Sequence, residues 1–193
     1  DMDAKKEKEK KAAALKSLEF VKEGVIVGLG TGSTAAYFIQ ALGEKVREGF
    51  KIKGVPTSEQ TRLLAQECGI DLIPLEDIDY VDVTIDGADE VDPQLNLIKG
   101  GWGALLREKI VASISKEMIA IVDSQKKVEK LGKFLLPLEV VPFTYNIVRM
   151  QMRSLGAEAR LRRSENGDIF VTDEGNYIID CAFGSIAVSY THL

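Results

Sequence analysis

The sequence predicts an α/β fold, a doubly wound, mostly parallel sheet joined to a smaller α+β domain. Three observations carry this. Short apolar runs alternate with amphipathic stretches as far as Asp123, which is the rhythm of strands linked by helical crossovers. Two of the runs end directly in turn chemistry, at Gly28–Thr34 and at Asp86-Gly87. Beyond Leu131 the alternation gives way to closely spaced strand-like segments around one helical stretch.

Residues 1–22 read as a first helix, with Ala13, Ala14, Leu15, Leu18 and Val21 on an apolar face and Lys/Glu alternation on a wet one. Gly24 ends it. Val25-Ile26-Val27 reads as a buried strand, followed by Gly28-Leu29-Gly30-Thr31-Gly32-Ser33-Thr34 and a helix to about Leu42. Ile52 to Val55 is the next strand, and Ser58 caps a helix closed by Gly69. Ile70 to Leu75, Tyr80 to Ile85 and Met118 to Asp123 complete five expected strands. Residues 1–127 are thus expected to form a Rossmann-like domain. In residues 128–193 the expectation is a Pro-interrupted strand up to Phe143, a helix to Gly156, a strand to Ser164 and a hairpin about Glu174-Gly175-Asn176. Phe134, Phe143, Met150, Met152 and Phe170 read most simply as core or interface.

Composition removes several classes of function. A net charge of -5 lacks the footprint of a nucleic-acid binder, although a local basic pocket could still hold an anion. Cys68 and Cys181 are far apart and in no metal-binding pattern, so neither a disulfide framework nor a zinc site is expected. No run approaches the roughly 18 apolar residues of a membrane span, and the charged N-terminus has no apolar core after it. The expected location is cytoplasmic. The only histidine is His192, so acid–base chemistry falls to carboxylates or lysines.

The glycine turn at 28–34 offers hydroxyls at Thr31, Ser33 and Thr34, bare amides and the positive end of a helix dipole, all suited to a phosphate. It departs from the dinucleotide fingerprint: the third glycine is missing, and no acidic residue follows the next strand to hold a ribose. Neither does a Gly-Lys-Ser/Thr follow, as in a phosphate-binding P-loop. Taken alone, the turn serves a phosphate or tight packing equally well.

The stretch from Asp82 to Lys109 is the richest in chemistry. Asp86 is expected at a strand's carboxyl end, where open α/β sheets bind their ligands. Asp89, Lys99, Gly100, Gly101 and Gly103 follow in a loop, and Arg107 and Glu108 lie in the first two turns of a helix. Ordinary turn chemistry and packing account for any one of these. Acidic groups, a lysine and bare amides within one short stretch have the composition of an active site.

Taken together, VGLGTGSTA at 27–35, DGADE at 86–90, KGGWGALLREK at 99–109 and DSQKKVEKLGKFLLPLEV at 123–140 resemble ribose-5-phosphate isomerase of the A type. The four motifs occur in order over nearly the whole chain. The resemblance implies interconversion of D-ribose 5-phosphate and D-ribulose 5-phosphate in the non-oxidative pentose phosphate pathway, with no cofactor and no metal. By position in the motifs, Glu108 would be the carbon base, Asp86 would aid ring opening and proton traffic at oxygen, and Lys99 would stabilise the enediolate with the Gly100 and Gly101 amides. Asp89, beside Gly87, would hold sugar hydroxyls. The phosphate would lie on Thr31, Gly32, Ser33 and Thr34, with Lys126 and Lys10 as charge partners; Lys8 or Lys11 could stand in for Lys10. A homodimer or homotetramer is implied for the intact family member.

Two features depart from the family. Trp102 stands where glycine is usual, and an outward-facing side chain is expected. After FGSI at 183–186 the chain reads AVSYTHL, unlike the family's continuation, so the small domain is expected to be truncated or to end in a foreign junction. Three other readings stay open: a non-catalytic sugar-phosphate-binding domain, for which the 24 residues before the first strand would leave no room for a DNA-binding unit; a coenzyme A transferase relative using Glu108 as nucleophile; and an inactive fragment.

Overall fold

The structure, a computed structural model, describes residues 2–187. All of the divergent tail but Ala187, His192 included, lies outside the described residues. In chain order the elements are α1 (Met2–Ser17), β1 (Ile26–Leu29), α2 (Ser33–Arg47), β2 (Lys53–Pro56), α3 (Glu59–Glu67), β3 (Val81–Asp86), β4 (Glu90–Val91), β5 (Leu97–Ile98), α4 (Leu105–Ser113), β6 (Ser115–Ala120), β7 (Leu136–Val140), α5 (Tyr145–Ser154), β8 (Glu158–Leu161) and β9 (Tyr177–Ala182). Among the described residues no helix is long and apolar enough to cross a membrane. The chain divides into two compact units, one running through Gly87 and resuming over Leu106–Gln125, the other made of Ala88–Leu105 and the chain from Lys126.

The first unit is a parallel sheet in the order β2-β1-β3-β6 with helices against it. The chain winds from β1 to one neighbour, β2, then crosses to the other, β3. The sheet is therefore doubly wound with its switch point between β1 and β3, where a ligand crevice is expected beyond the strand ends. Val27, Leu29, Val83 and Ile85 pack with Ala14, Phe38, Ile39, Leu42 and Ala65 from the three helices, and a second cluster joins Val55, Val81 and Val111. The expected strand over 70–75 is a correction: only Leu72 bridges to Gly54 at the edge of β2. Pro74 has no N–H for a ladder, and the chain turns there into a single 3-10 turn at Leu75–Asp77.

In the second unit β7, β9 and β8 form an antiparallel sheet with β9 in the middle, while β4 pairs with β5. Val140, Ala157, Ala159, Ile179 and Cys181 make its core, with Met152 packed on it. Phe143 and Met150 lie outside that core and are exposed. The expected hairpin is half right: a turn at Gly175 exists, with Thr172 N–H bonded to Asn176 O, but only β9 is a strand. Both edges of β9 are already taken by β7 and β8, and residues 168–170 instead pair antiparallel with 162–164 through an isolated bridge between Ile169 and Arg163.

One close approach sets the spacing of the first sheet. Gly28 stands opposite Thr84 across β1 and β3, and a Cβ on Gly28 would meet Thr84 Oγ1 at 2.0 Å and Val111 Cγ1 at 2.9 Å. Gly28→Ala is expected to cost about 1–3 kcal/mol in urea unfolding through overpacking, and Thr84→Ala in the same chain should recover part of it.

Candidate active site

In the first unit the two strands flanking the switch point deliver the turn at Gly30–Thr34 and the carboxylate of Asp86. Asp86 closes β3 and is fully buried. Its Oδ1 accepts the N–H of Thr31 at 3.2 Å and of Gly87 at 2.7 Å, and its carbonyl accepts from Ile121 N at 2.8 Å. Gly30 lies flush against it, since a Cβ there would be 2.3 Å from Oδ1 and 2.6 Å from the Asp86 Cα. A bare backbone is required at that point for the turn and the aspartate to share the strand ends.

The three expected phosphate hydroxyls separate into two kinds. Thr31 Oγ1 is buried among hydroxyls, 2.8 Å from Thr57 Oγ1, 2.8 Å from Ser58 Oγ and 3.1 Å from Thr61 Oγ1. Thr57 and Thr61 in turn donate to the carbonyls of Leu29 and Gly30. Thr31 thus bonds through both its N–H and its hydroxyl. Ser33 and Thr34 open α2 and are half-buried. Gly32, at φ +116°, turns the chain into that helix, whose start carries no side-chain cap, so its first-turn amides point out of the helix as donors.

Lys10 is the one buried lysine of α1, whereas Lys8 and Lys11 are exposed. Its ammonium lies 2.7 Å from Glu7, which also accepts the Tyr37 hydroxyl from α2. Lys10 first, then Tyr37, hold the Glu7 carboxyl below the usual carboxylate range. Glu108 is the fourth residue of α4 and is buried, while its neighbour Arg107 pairs with Glu59 at 3.1 Å on a more exposed surface. Helical spacing separates the two charges, one into the interior and one towards water.

The second unit carries Asp89, Lys99, Gly100, Gly101 and Lys126. Asp89 leads into β4, and its Oδ2 accepts the Gly101 N–H at 2.8 Å. Burial pushes its carboxyl above the usual aspartate range, against the Gly101 bond and the charges of Lys126, Lys99 and Arg162. Lys99 is half-buried, and the ammonium of Lys126 lies 5.8 Å from the centre of the Phe134 ring. Trp102 is 56% exposed, as the expected outward placement requires.

Three residues here escaped the sequence reading. Glu90 is buried and accepts the N–H groups of Gly132 at 2.8 Å and Phe134 at 2.6 Å. Arg162 and Asp180 form a two-pronged ion pair, and Arg162 also donates to the Gly100 and Gly101 carbonyls. Glu90 sat inside a quoted motif and could have been suspected; the Arg162–Asp180 pair spans two strands and had no local signal. Among the described residues no three His, Cys, Asp or Glu side chains are grouped to hold a metal, and both cysteines are free thiols.

Residues 53–192 match the family model for ribose 5-phosphate isomerase A (phosphoriboisomerase A). The chain belongs to the ribose-5-phosphate isomerase A family. Ribose-5-phosphate isomerase A of Nitrobacter hamburgensis is 52% identical over 183 residues, covering 92% of this chain and 79% of that protein. The Parvibaculum lavamentivorans relative is 53% identical, covering 92% of this chain and 80% of its own. A solved D-ribose-5-phosphate isomerase in complex with phospho-erythronic acid superposes with a TM-score of 0.91 at 45% identity, covering 94% of this chain and 81% of that one.

For a ribose-5-phosphate isomerase A, holding Asp89 in a buried position carries a stability cost. Its raised folded pKa means that the folded chain binds the proton more tightly than the unfolded chain does. The contribution is fully present below the ordinary aspartate value of about 3.9 and is lost as pH rises through the folded value. Asp89→Asn should therefore have a higher urea midpoint than the parent at pH 7, with the gap closing as pH falls below about 4.

Proposed function

We infer that this chain is an aldose–ketose isomerase interconverting D-ribose 5-phosphate and D-ribulose 5-phosphate. Membership of the family at about half identity over most of the chain carries the reading. It does not favour a non-catalytic binding domain or a coenzyme A transferase relative. The phospho-erythronic acid in the solved relative fits too, because a planar carboxylate next to a hydroxyl-bearing carbon resembles an enediolate.

The chemistry proposed for the residues is as follows. Glu108 takes the proton from C2 of the open-chain aldose, and the electron pair moves to form the C1–C2 double bond of an enediolate with charge on O1. Asp86 helps to open the ring and carries the O2 proton to O1. Glu108, now protonated, returns its proton to C1, leaving the ketone at C2 and both side chains as they began. Glu108 is buried at the start of α4 and is the carboxylate placed by the motif for this role.

Lys99 and the Gly100 amide stabilise the developing oxyanion, the Gly101 N–H holds the Asp89 carboxylate in place, and Asp89 and Gly87 hold sugar hydroxyls. The phosphate is assigned to the Gly32, Ser33 and Thr34 amides and the Ser33 and Thr34 hydroxyls, with Lys10 and Lys126 as charge partners. Thr31 contributes to phosphate binding by fixing the turn, its N–H and hydroxyl bonding to Asp86 and to the neighbouring hydroxyls.

The test is formation of ribulose 5-phosphate by the purified chain beside Glu108→Gln, with a chelator present. The expected result is activity that survives chelation and falls by about 10²–10⁴-fold or more in the variant. Equal activity in the two proteins would remove Glu108 as the base.

A further inference from the structure

Arg162, on the chain just beyond β8, reaches the loop that carries Lys99, Gly100 and Gly101. Its Nε and Nη2 donate to Asp180 Oδ2 at 2.8 Å and Oδ1 at 2.6 Å, and both side chains are largely buried. The third nitrogen, Nη1, donates to the carbonyls of Gly100 at 2.9 Å and Gly101 at 3.2 Å. The guanidinium carbon lies 5.8 Å from the centre of the Phe170 ring. The same ring abuts Gly103, where a Cβ would come within 2.3 Å of Phe170 Cζ.

These contacts fix one peptide plane from both sides. The Gly100–Gly101 peptide is trans, so its C=O and N–H point in opposite directions. The C=O is held by Arg162 and the N–H by Asp89. Gly100 adopts φ +107°, and the loop is closed by a 3.0 Å bond from Gly103 N to Gly100 O. Glycines in that conformation have little intrinsic preference to stay there, so the orientation must come from partners. A cation on the carbonyl also polarises the amide and strengthens its N–H as a donor.

We propose that Arg162, oriented by Asp180, is a positioning residue for the isomerisation: it fixes the Gly100–Gly101 peptide and, through it, the Asp89 carboxylate. The inference rests on the assignment of Asp89 and of the 99–101 loop to the sugar. Arg162 is the side chain suited to this role, because its planar fork satisfies a carboxylate with one edge and leaves a further N–H for the loop, which a lysine cannot do.

The experiment compares kcat and KM for ribose 5-phosphate in Arg162→Met, Arg162→Lys, Asp180→Asn and Asp89→Asn, and in Arg162→Met combined with Asp89→Asn. Amide exchange at Gly101 is followed in the same proteins. Arg162→Met should lower kcat/KM by about 10²-fold, the cost of a misplaced site group, and Arg162→Lys should lose less. Guanidinium at millimolar concentration should restore part of the Arg162→Met loss. Gly101 should exchange faster in Arg162→Met and in Asp180→Asn. The double variant should lose less than the product of its two single losses, because both act through one peptide.

A folded Arg162→Met with parental kcat/KM, or losses that multiply, would overturn the inference. If Arg162→Met does not fold, Arg162→Lys and Asp180→Asn decide it by the same two readouts. Parental activity in those variants, with an active parent and a dead Glu108→Gln, overturns this inference alone. An inactive parent, or an active Glu108→Gln, overturns the proposed function and this inference with it.

Discussion

The carboxylate of Asp86 is the constraint on which the first unit's reactive end depends. It ends β3 fully buried and accepts the N–H of Thr31, so that it binds the end of one central strand to the turn leaving the other. Everything near it follows. Gly30 must be bare because the carboxylate occupies the space a Cβ would need. Thr31, its N–H taken, turns its hydroxyl to those of Thr57, Ser58 and Thr61, fixing the next strand-to-helix turn as well. The start of α2 is then presented with its first amides open. A buried carboxylate held by backbone donors is costly to move, which fits the proton-handling role proposed for it.

The second unit solves a different problem. Its loop at 99–103 carries three glycines, a composition that permits the required backbone and does nothing to hold it. Rigidity is supplied from outside the loop, by Asp89 on an amide, by Arg162 on two carbonyls and by Phe170 against Gly103. Glu90 adds a further tie by gathering the Gly132 and Phe134 amides. The DGADE motif is thus shared out: Asp86 fixes strand ends in one unit, while Asp89 and Glu90 bind loops in the other.

Much of this was legible in the sequence because it is local. The apolar alternation that ends at Asp86, the Ser58 cap, whose Oγ accepts Thr61 N at 3.0 Å, and the helix whose first turns hold Arg107 and Glu108 all lie within a few residues of their cause. The misreadings arose where tertiary pairing decides. Residues 70–75 have a strand's composition but meet only a sheet edge interrupted by Pro74. Residues 168–173 have a hairpin arm's pattern, but β9 is already paired on both sides and 168–170 bridge to 162–164 instead. The commitment of the Thr31 hydroxyl was equally out of reach, since its partners lie 26 to 30 residues away. Arg162 is one of three arginines in RLRRS, and nothing local in the sequence distinguishes it from its neighbours.

Asp86 locks the ends of β1 and β3 and is proposed also to move protons at the sugar oxygens. The most direct measurement is the rate of ribulose 5-phosphate formation by Asp86→Asn, set beside its circular dichroism. The amide oxygen can still accept from Thr31 and Gly87, so the variant should keep the parental spectrum; without a group able to take up and release a proton, it should lose activity by about 10²–10⁴-fold. A folded Asp86→Asn that isomerises ribose 5-phosphate at the parental rate would leave Asp86 a structural tie with no part in proton transfer.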